Sequence, residues 1–229
     1  MPTRDWLRNR FSYGYDSGKI LPRVPGLRRL FEELRIGGSY RRIFYKAIAP
    51  NLRPDSRVLE LGPGKGSWTR AILKFVPKGE VHALDFQDVS KWLRPEDYGG
   101  RLICHRVSDN SFACVPDGHF DFFWSFGVLC HNNGEYLGEI LRNSLRKMKP
   151  GGIAVHQYGD WHKLEQLGWH WRYGVPAHFK DRKDDDIWWP RNDSTTMARL
   201  AREAGWEVMT PDLGLVRRDS LIQLRRPSS

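Results

Sequence analysis

Residues 58–68 read Val-Leu-Glu-Leu-Gly-Pro-Gly-Lys-Gly-Ser-Trp, and this stretch constrains the fold more than any other. An apolar run ends at Glu60, then glycine recurs at alternate positions, Gly62, Gly64 and Gly66. That pattern is a buried strand stopping at a loop whose backbone needs positive φ or a close approach that a Cβ would block. A helical pattern, Trp68 to Val76, follows at once. Strand, glycine loop and helix together open a nucleotide-type α/β domain.

The spacing narrows the ligand. A dinucleotide fingerprint, G-x-G-x-x-G, would put its third glycine where Ser67 stands; here that glycine comes one residue early, at Gly66. A P-loop is excluded, because no G-K-[ST] follows a four-residue gap. Glu60 adds an acid two residues before the first glycine. The resulting E-x-G-x-G-x-G resembles motif I of the class I S-adenosylmethionine (SAM)-dependent methyltransferases.

The rest of the chain alternates strand and helix. Strands are expected at 57–62, 80–86, 102–107, 120–126 and 152–158, and helices at 67–76, 88–94, 134–148 and 194–204. That order argues a mostly parallel sheet with helices on both faces. Residues 206–209 and 220–224 are joined without a helix and read as an antiparallel hairpin, which makes seven strands of a Rossmann-like α/β sheet. Residues 1–50 form an irregular arm, to about residue 24, followed by helical segments that cap the site. Leu27, Leu30, Phe31 and Leu34, then Tyr40, Ile43, Phe44 and Ala47, carry the helical period. Residues 51–229 form the catalytic domain. Within it, an insertion at about 159–193 holds Trp161, Trp169, Trp171, Trp188 and Trp189. Routine connections in α/β units run ~2–6 residues, so this one calls for a separate explanation.

Composition sets outer limits. The chain has 229 residues, 40% of them hydrophobic, enough for one core with elaborations. No apolar run approaches the ~20 residues of a membrane span. Met1 to Trp6 lack the apolar segment of a secretory signal. Cys104, Cys114 and Cys130 have no metal-ligand spacing and read as reduced core thiols of a cytoplasmic protein. The net charge of +10 admits two readings, an anionic partner or a solvated arginine-rich surface, since no long basic run is present.

Candidate site residues follow from strand ends. Asp85 closes the second strand about 20 residues after the glycine loop, where an acid accepts hydrogen bonds from ribose hydroxyls; Phe86 follows it. Ser125 to His131, after the fourth strand, should line the site at the switch point of the sheet, with Ser125 and Phe126 against the cofactor. Glu60 either contacts the cofactor ammonium or orders the glycine loop. An acidic site suits a sulfonium and an ammonium and would repel a pyrophosphate. Methyl transfer to a hydroxyl needs alignment and removal of one proton. His131 and, on the fifth strand, His156 are the candidate bases. Tyr158, Trp161, Trp169 and Trp171 are the expected acceptor contacts. The contiguous Asp184-Asp185-Asp186 cannot aim all its carboxylates one way, so no metal is expected.

From Arg57 to Leu224 the chain resembles the class I SAM-dependent methyltransferases. The resemblance rests on E-L-G-P-G-K-G, L-D-F, S-D-N, F-S-F-G-V-L-C-H and M-K-P-G-G. It implies SAM as cofactor and gives Asp109, with Asn110 beside it, the adenine amino group. No [DN]-P-P-[YF] motif of amino methyltransferases is present. Ser125–His131, V-H-Q-Y and T-T-M-A-R-L-A-R-E-A-G-W are similar to enzymes of bacterial saccharide and natural-product biosynthesis. That similarity implies O-methylation of a small molecule, a saccharide hydroxyl or a phosphate, and the tryptophan-rich insertion departs from the family pattern. Two other readings stand beside it: an RNA methyltransferase, suggested by the charge and the aromatics, and a SAM-binding partner subunit without catalysis.

Overall fold

The computed structural model describes residues 15–228. The arm expected at the N-terminus therefore lies mostly outside the described residues. Helices α1 (Leu27–Ile36) and α2 (Tyr40–Ile43) come first, and α2 continues as one wide turn, Phe44–Ile48. Strand β1 (Arg57–Leu61), helix α3 (Ser67–Phe75), β2 (Glu80–Asp85), the short α4 (Ser90–Leu93), β3 (Leu102–Arg106) and β4 (Phe120–Ser125) follow. Then come α5 (Gly134–Leu145), β5 (Met148–Gly159), α6 (Trp161–Gln166), α7 (Ser194–Glu203), β6 (Glu207–Thr210) and β7 (Asp219–Arg225).

The seven strands lie in the order β3-β2-β1-β4-β5-β7-β6. β1 to β5 are parallel to one another, and β7 runs antiparallel to both β5 and β6. The chain builds outward from β1 to β3 and then returns to place β4 on the other side of β1. The carboxyl ends of β1 and β4 thus flank the switch point, where open sheets bind ligands.

Two apolar layers cover the sheet. On one face Ile36, Tyr40 and Phe44 pack with Trp68 and Ile72 of α3 against Phe122 and Trp124. On the other, Leu137 and Leu141 of α5 and Met197 of α7 pack against Phe123 and Ile222. The alternation Phe122, Phe123, Trp124 along β4 is the strand period dividing one apolar run between two cores.

Three expectations are corrected. The helix expected over 134–148 ends at Leu145, and Met148 already pairs with Phe120 as the start of β5. Pro150 has no N–H to give and Gly151 has φ 75°, so the ladder slips before Phe122 and Ile153 pair. The apolar period of α1 does not face the core: Leu27 is 78% exposed and Phe31 69%. The buried side holds Arg29, whose Nη1 donates to the carbonyls of Lys19, Ile20 and Pro22 at 2.8–2.9 Å and which pairs with Glu33 at 3.0 Å. Carbonyls of the preceding extended segment need donors once buried, and an arginine supplies several. Finally, Cys114 is exposed rather than in a core; all three cysteines are free thiols.

The insertion is a folded unit. Leu164, Trp169, Val175, Phe179, Ile187 and Trp189 bury one another together with Cys130. Each buried tryptophan removes about 150–250 Å² from water, about 4–6 kcal/mol before entropy is charged. That is enough to explain Trp169 as packing alone. Among the described residues no helix is long and apolar enough to cross a membrane.

Candidate active site

A cavity of about 530 Å³ opens at the carboxyl ends of β1, β2 and β4. Its floor is the glycine loop. Gly62 has φ 70° and its N–H donates to the Leu84 carbonyl at 2.8 Å. A Cβ on Gly64 (φ 53°) would stand 2.4 Å from the Tyr15 carbonyl oxygen. That oxygen accepts the Lys65 N–H at 2.7 Å. Ser17 N–H donates to Ser67 Oγ at 3.0 Å, so the segment before α1 is laced onto the loop. Gly66, in left-handed geometry, caps α3 and packs on Leu93 rather than on the cavity. The glycines are therefore demanded by the protein's own backbone as well as by any ligand.

Asp85 and Phe86 form the next wall. The Asp85 Oδ1 accepts the Gln87 N–H at 2.9 Å. Burial raises its pKa to about 6, with the N–H groups of Gln87, Gly64 and Phe86 holding it back. Asp109 and Asn110 stand beyond it, with Phe112. Asp109 accepts the Ser111 N–H at 2.9 Å and the Asn110 amide donates to Glu139 at 3.0 Å. Phe126 continues the wall.

Glu60 is placed otherwise. Its side chain is 1% exposed, off the cavity, on the strand face that meets α3. Burial raises its pKa to about 7, opposed by the Thr69 hydroxyl and by Arg70 and reinforced by Asp85. One of its oxygens, Oε2, has no hydrogen-bond partner among the described residues. This position agrees with ordering the turn from β1 into α3, and it leaves Glu60 outside the cavity lining.

His131 lies on the cavity wall, in the turn after β4. Its Nδ1 is 2.7 Å from the carbonyl oxygen of Trp188, and its ring meets Trp189 edge-on at 5.3 Å. Burial lowers its pKa; Arg218 adds to that, while the Trp188 carbonyl and Asp219 oppose it. A carbonyl only accepts, so Nδ1 carries the ring proton and Nε2 keeps its lone pair.

His156 is not brought to this site. It is fully buried, its Nδ1 is 2.8 Å from the Ser125 hydroxyl, and Phe123 packs edge-on at 4.5 Å. Burial alone lowers its pKa to about 3. Ser125 is equally buried and off the cavity. Tyr158, two residues on, shares the buried face and donates to the Pro211 carbonyl at 2.9 Å. Gln157, between them, faces the cavity instead. Its Oε1 accepts the Gly127 N–H at 2.7 Å, and its buried Nε2 makes no hydrogen bond to a nitrogen or oxygen among the described residues, the Cys130 thiol lying beside the Gln157 side chain.

The expected tryptophans are also displaced. Trp169 is core, Trp161 packs edge-on against it at 4.7 Å, and Trp171 is 83% exposed beside α1. The tryptophans that line the cavity are Trp68, Trp92, Trp188 and Trp189. Arg218 lies against Trp189 at 4.7 Å, and its charge is taken up by a two-pronged pair with Asp219 at 2.8 and 2.7 Å. Tyr15, Ser17 and Tyr40 complete the wall from the N-terminal side. A run of aromatics does not tell which rings face inward, so no local signal separated Trp188 from Trp171.

The site has an acidic end at Asp85 and Asp109 and an aromatic end around His131. The donor set fits SAM: carboxylates for ribose and a cationic ligand, glycine backbone for close approach, apolar walls for the purine.

The comparisons agree. The family profile described as "Methyltransferase domain" matches residues 30–210. The ubiquinone/menaquinone biosynthesis C-methyltransferase UbiE of Ectopseudomonas mendocina is 32% identical over 107 residues, covering 44% of this chain and 41% of that protein. The highly reducing polyketide synthase sthA of Phaeosphaeria nodorum is 28% identical over 172 residues, 70% of this chain. Only 6% of that synthase is covered, so the chain spans less than half of either relative. A SAM-dependent methyltransferase structure from Aquifex aeolicus superposes with TM-score 0.60 at 17% identity, covering 85% of this chain and 92% of that one. The chain belongs to the methyltransferase-domain family, the class I enzymes that take S-adenosylmethionine as cofactor.

Proposed function

We propose that this enzyme methylates a hydroxyl oxygen of a small, ring-bearing acceptor, with His131 as general base. The observation that carries the reading is the contact of His131 Nδ1 with the Trp188 carbonyl, which puts the ring proton on Nδ1 and the basic lone pair on Nε2. Asp85 holds the ribose hydroxyls, Asp109 and Asn110 the adenine, and Gly62 and Gly64 the methionine half. When bound, SAM supplies an electrophilic methyl group on a sulfonium. The protein then has to align the acceptor oxygen and take its proton. Trp188 and Trp189 sandwich or edge the acceptor, and the Gln157 amide donates to a second polar group on it. Glu32, Arg35 and Ile36 of α1 reach the same cavity, so residues 15–50 serve as its lid.

A second reading, C-methylation, is favoured by the relative named as a C-methyltransferase. The same base would ionise a ring hydroxyl and make the adjacent carbon nucleophilic. A cavity of about 530 Å³ walled by tryptophan suits either acceptor better than a nucleic-acid strand. Trideuteromethyl-SAM, offered with a panel of phenols, sugars and polyketide-like alcohols, tests both readings. Labelled methyl ethers support O-transfer, and label on ring carbon replaces it by C-transfer. Label in RNA alone, or no turnover despite tight SAM binding, overturns the proposal.

A further inference from the structure

The opposite end of the sheet carries a second constellation, remote from the cavity. Glu80 and His82 are alternate residues of β2 and so share one face. His105 on β3 and His119, one residue before β4, come to the same face. Glu80 Oε1 lies 2.7 Å from His119 Nε2 and 3.7 Å from His82 Nε2. One ligand atom from each of Glu80, His82 and His119 falls within 4.8 Å of the other two. His105 Nε2 is 3.1 Å from His82 Nδ1.

We propose that Glu80, His82 and His119 bind one zinc ion, with His105 as the positioning residue for His82. Two imidazoles and a carboxylate are a usual set for this borderline ion, with water completing a tetrahedron. Bonds of about 2.1 Å place tetrahedral ligands about 3.4 Å apart, inside the present range of spacings. Side-chain rotations that move the ligand atoms by about an ångström would therefore close the site without moving a strand. His105 occupies the far nitrogen of His82, as partners behind metal-binding imidazoles do. The ion would join β2 to the start of β4 across the first residue of β1. That residue, Arg57, now shares the cluster: its Nε is 3.6 Å from Glu80 Oε1 and its Nη1 3.3 Å from His119 Nδ1. Its side chain is 47% exposed and can leave for solvent when the ion enters.

The test uses untagged, chelator-treated full-length protein. Zinc is titrated by calorimetry, and cobalt is used as a visible reporter of tetrahedral coordination. The expected result is one ion per chain, cobalt bands of a tetrahedral site, and affinity lowered about tenfold or more in His119→Ala and Glu80→Gln. Arg57→Ala should bind more tightly, because a competing cation is gone. These three residues are more exposed than His82, and circular dichroism confirms that the variants fold. Absence of saturable binding overturns the proposal. So does binding that His119→Ala and Glu80→Gln leave unchanged, which would place the ion elsewhere. Weaker binding in Arg57→Ala would show that the arginine builds the cluster for its own ion pair, and it too overturns the proposal.

Discussion

His131 Nδ1 stands 2.7 Å from the Trp188 carbonyl oxygen, joining the turn after β4 to the tryptophan-rich insertion. The insertion thereby sets the tautomer of the proposed base. His131→Asn should lower kcat by about 10²–10⁴ and leave SAM affinity unchanged. A base must be neutral to act, and burial holds this imidazole below the usual histidine range. Activity should therefore persist as pH falls past the ordinary histidine value, and the acidic limb should vanish in the variant. A full pH–rate profile of both proteins checks this; unchanged kcat in the variant removes His131 as base.

Asp85 should govern cofactor affinity. A hydrogen bond to a charged group is worth about 1.5–3 kcal/mol, so Asp85→Ala should weaken SAM binding about 10–100-fold with the fold intact. Since its pKa is raised to about 6, wild-type affinity should fall as pH drops below that value. Calorimetry at pH 5 and pH 8 measures both effects.

Glu60 makes a stability prediction with a sign. Its folded pKa of about 7 is above the unfolded value, so the native state holds a proton that the unfolded chain has released. Its contribution is most favourable below the ordinary glutamate pKa and is lost as pH rises to about 7. Glu60→Gln stays neutral, so it should match wild type at pH 5 and exceed it by roughly 1–3 kcal/mol at pH 8. Denaturant unfolding at both values decides; equal destabilisation at both would show that an ionised Glu60 is needed.

The two faces of β5 give a paired prediction. His156→Phe should cost about 1–2 kcal/mol by stranding the Ser125 hydroxyl, yet keep kcat within a few-fold. Gln157→Ala should raise acceptor KM, because its amide faces the cavity. In the insertion, Trp188→Ala should also raise KM, while Trp171→Ala should not. Steady-state kinetics of the four variants checks the assignment.

Much of the cofactor end was legible in the sequence, because its signals are local. A glycine at a positive-φ turn, an acid at a strand end and an apolar run of strand length each have a nearby physical cause. Gly62, Gly64, Asp85, Asp109 and Phe126 accordingly meet on one cavity. The acceptor end was not legible, because it depends on facing. V-H-Q-Y alternates sides, and a strand buried on both faces gives no sign of which side is which. Residue type alone favours His156 and Tyr158, and the sheet turns Gln157 inward. The same ambiguity hid the inverted α1, where Arg29 is buried and Leu27 is not.

The sequence by itself determined the family, the order of strands and helices and the methyl-donor loop. These follow from short-range periodicity and from backbone conformations that only glycine tolerates freely. Only the tertiary structure decided which tryptophans became core and which became wall, which histidine met the cavity, and that Glu80, His82 and His119 converge. Those outcomes rest on contacts between residues distant in the chain, whose geometry exists only once the sheet is assembled.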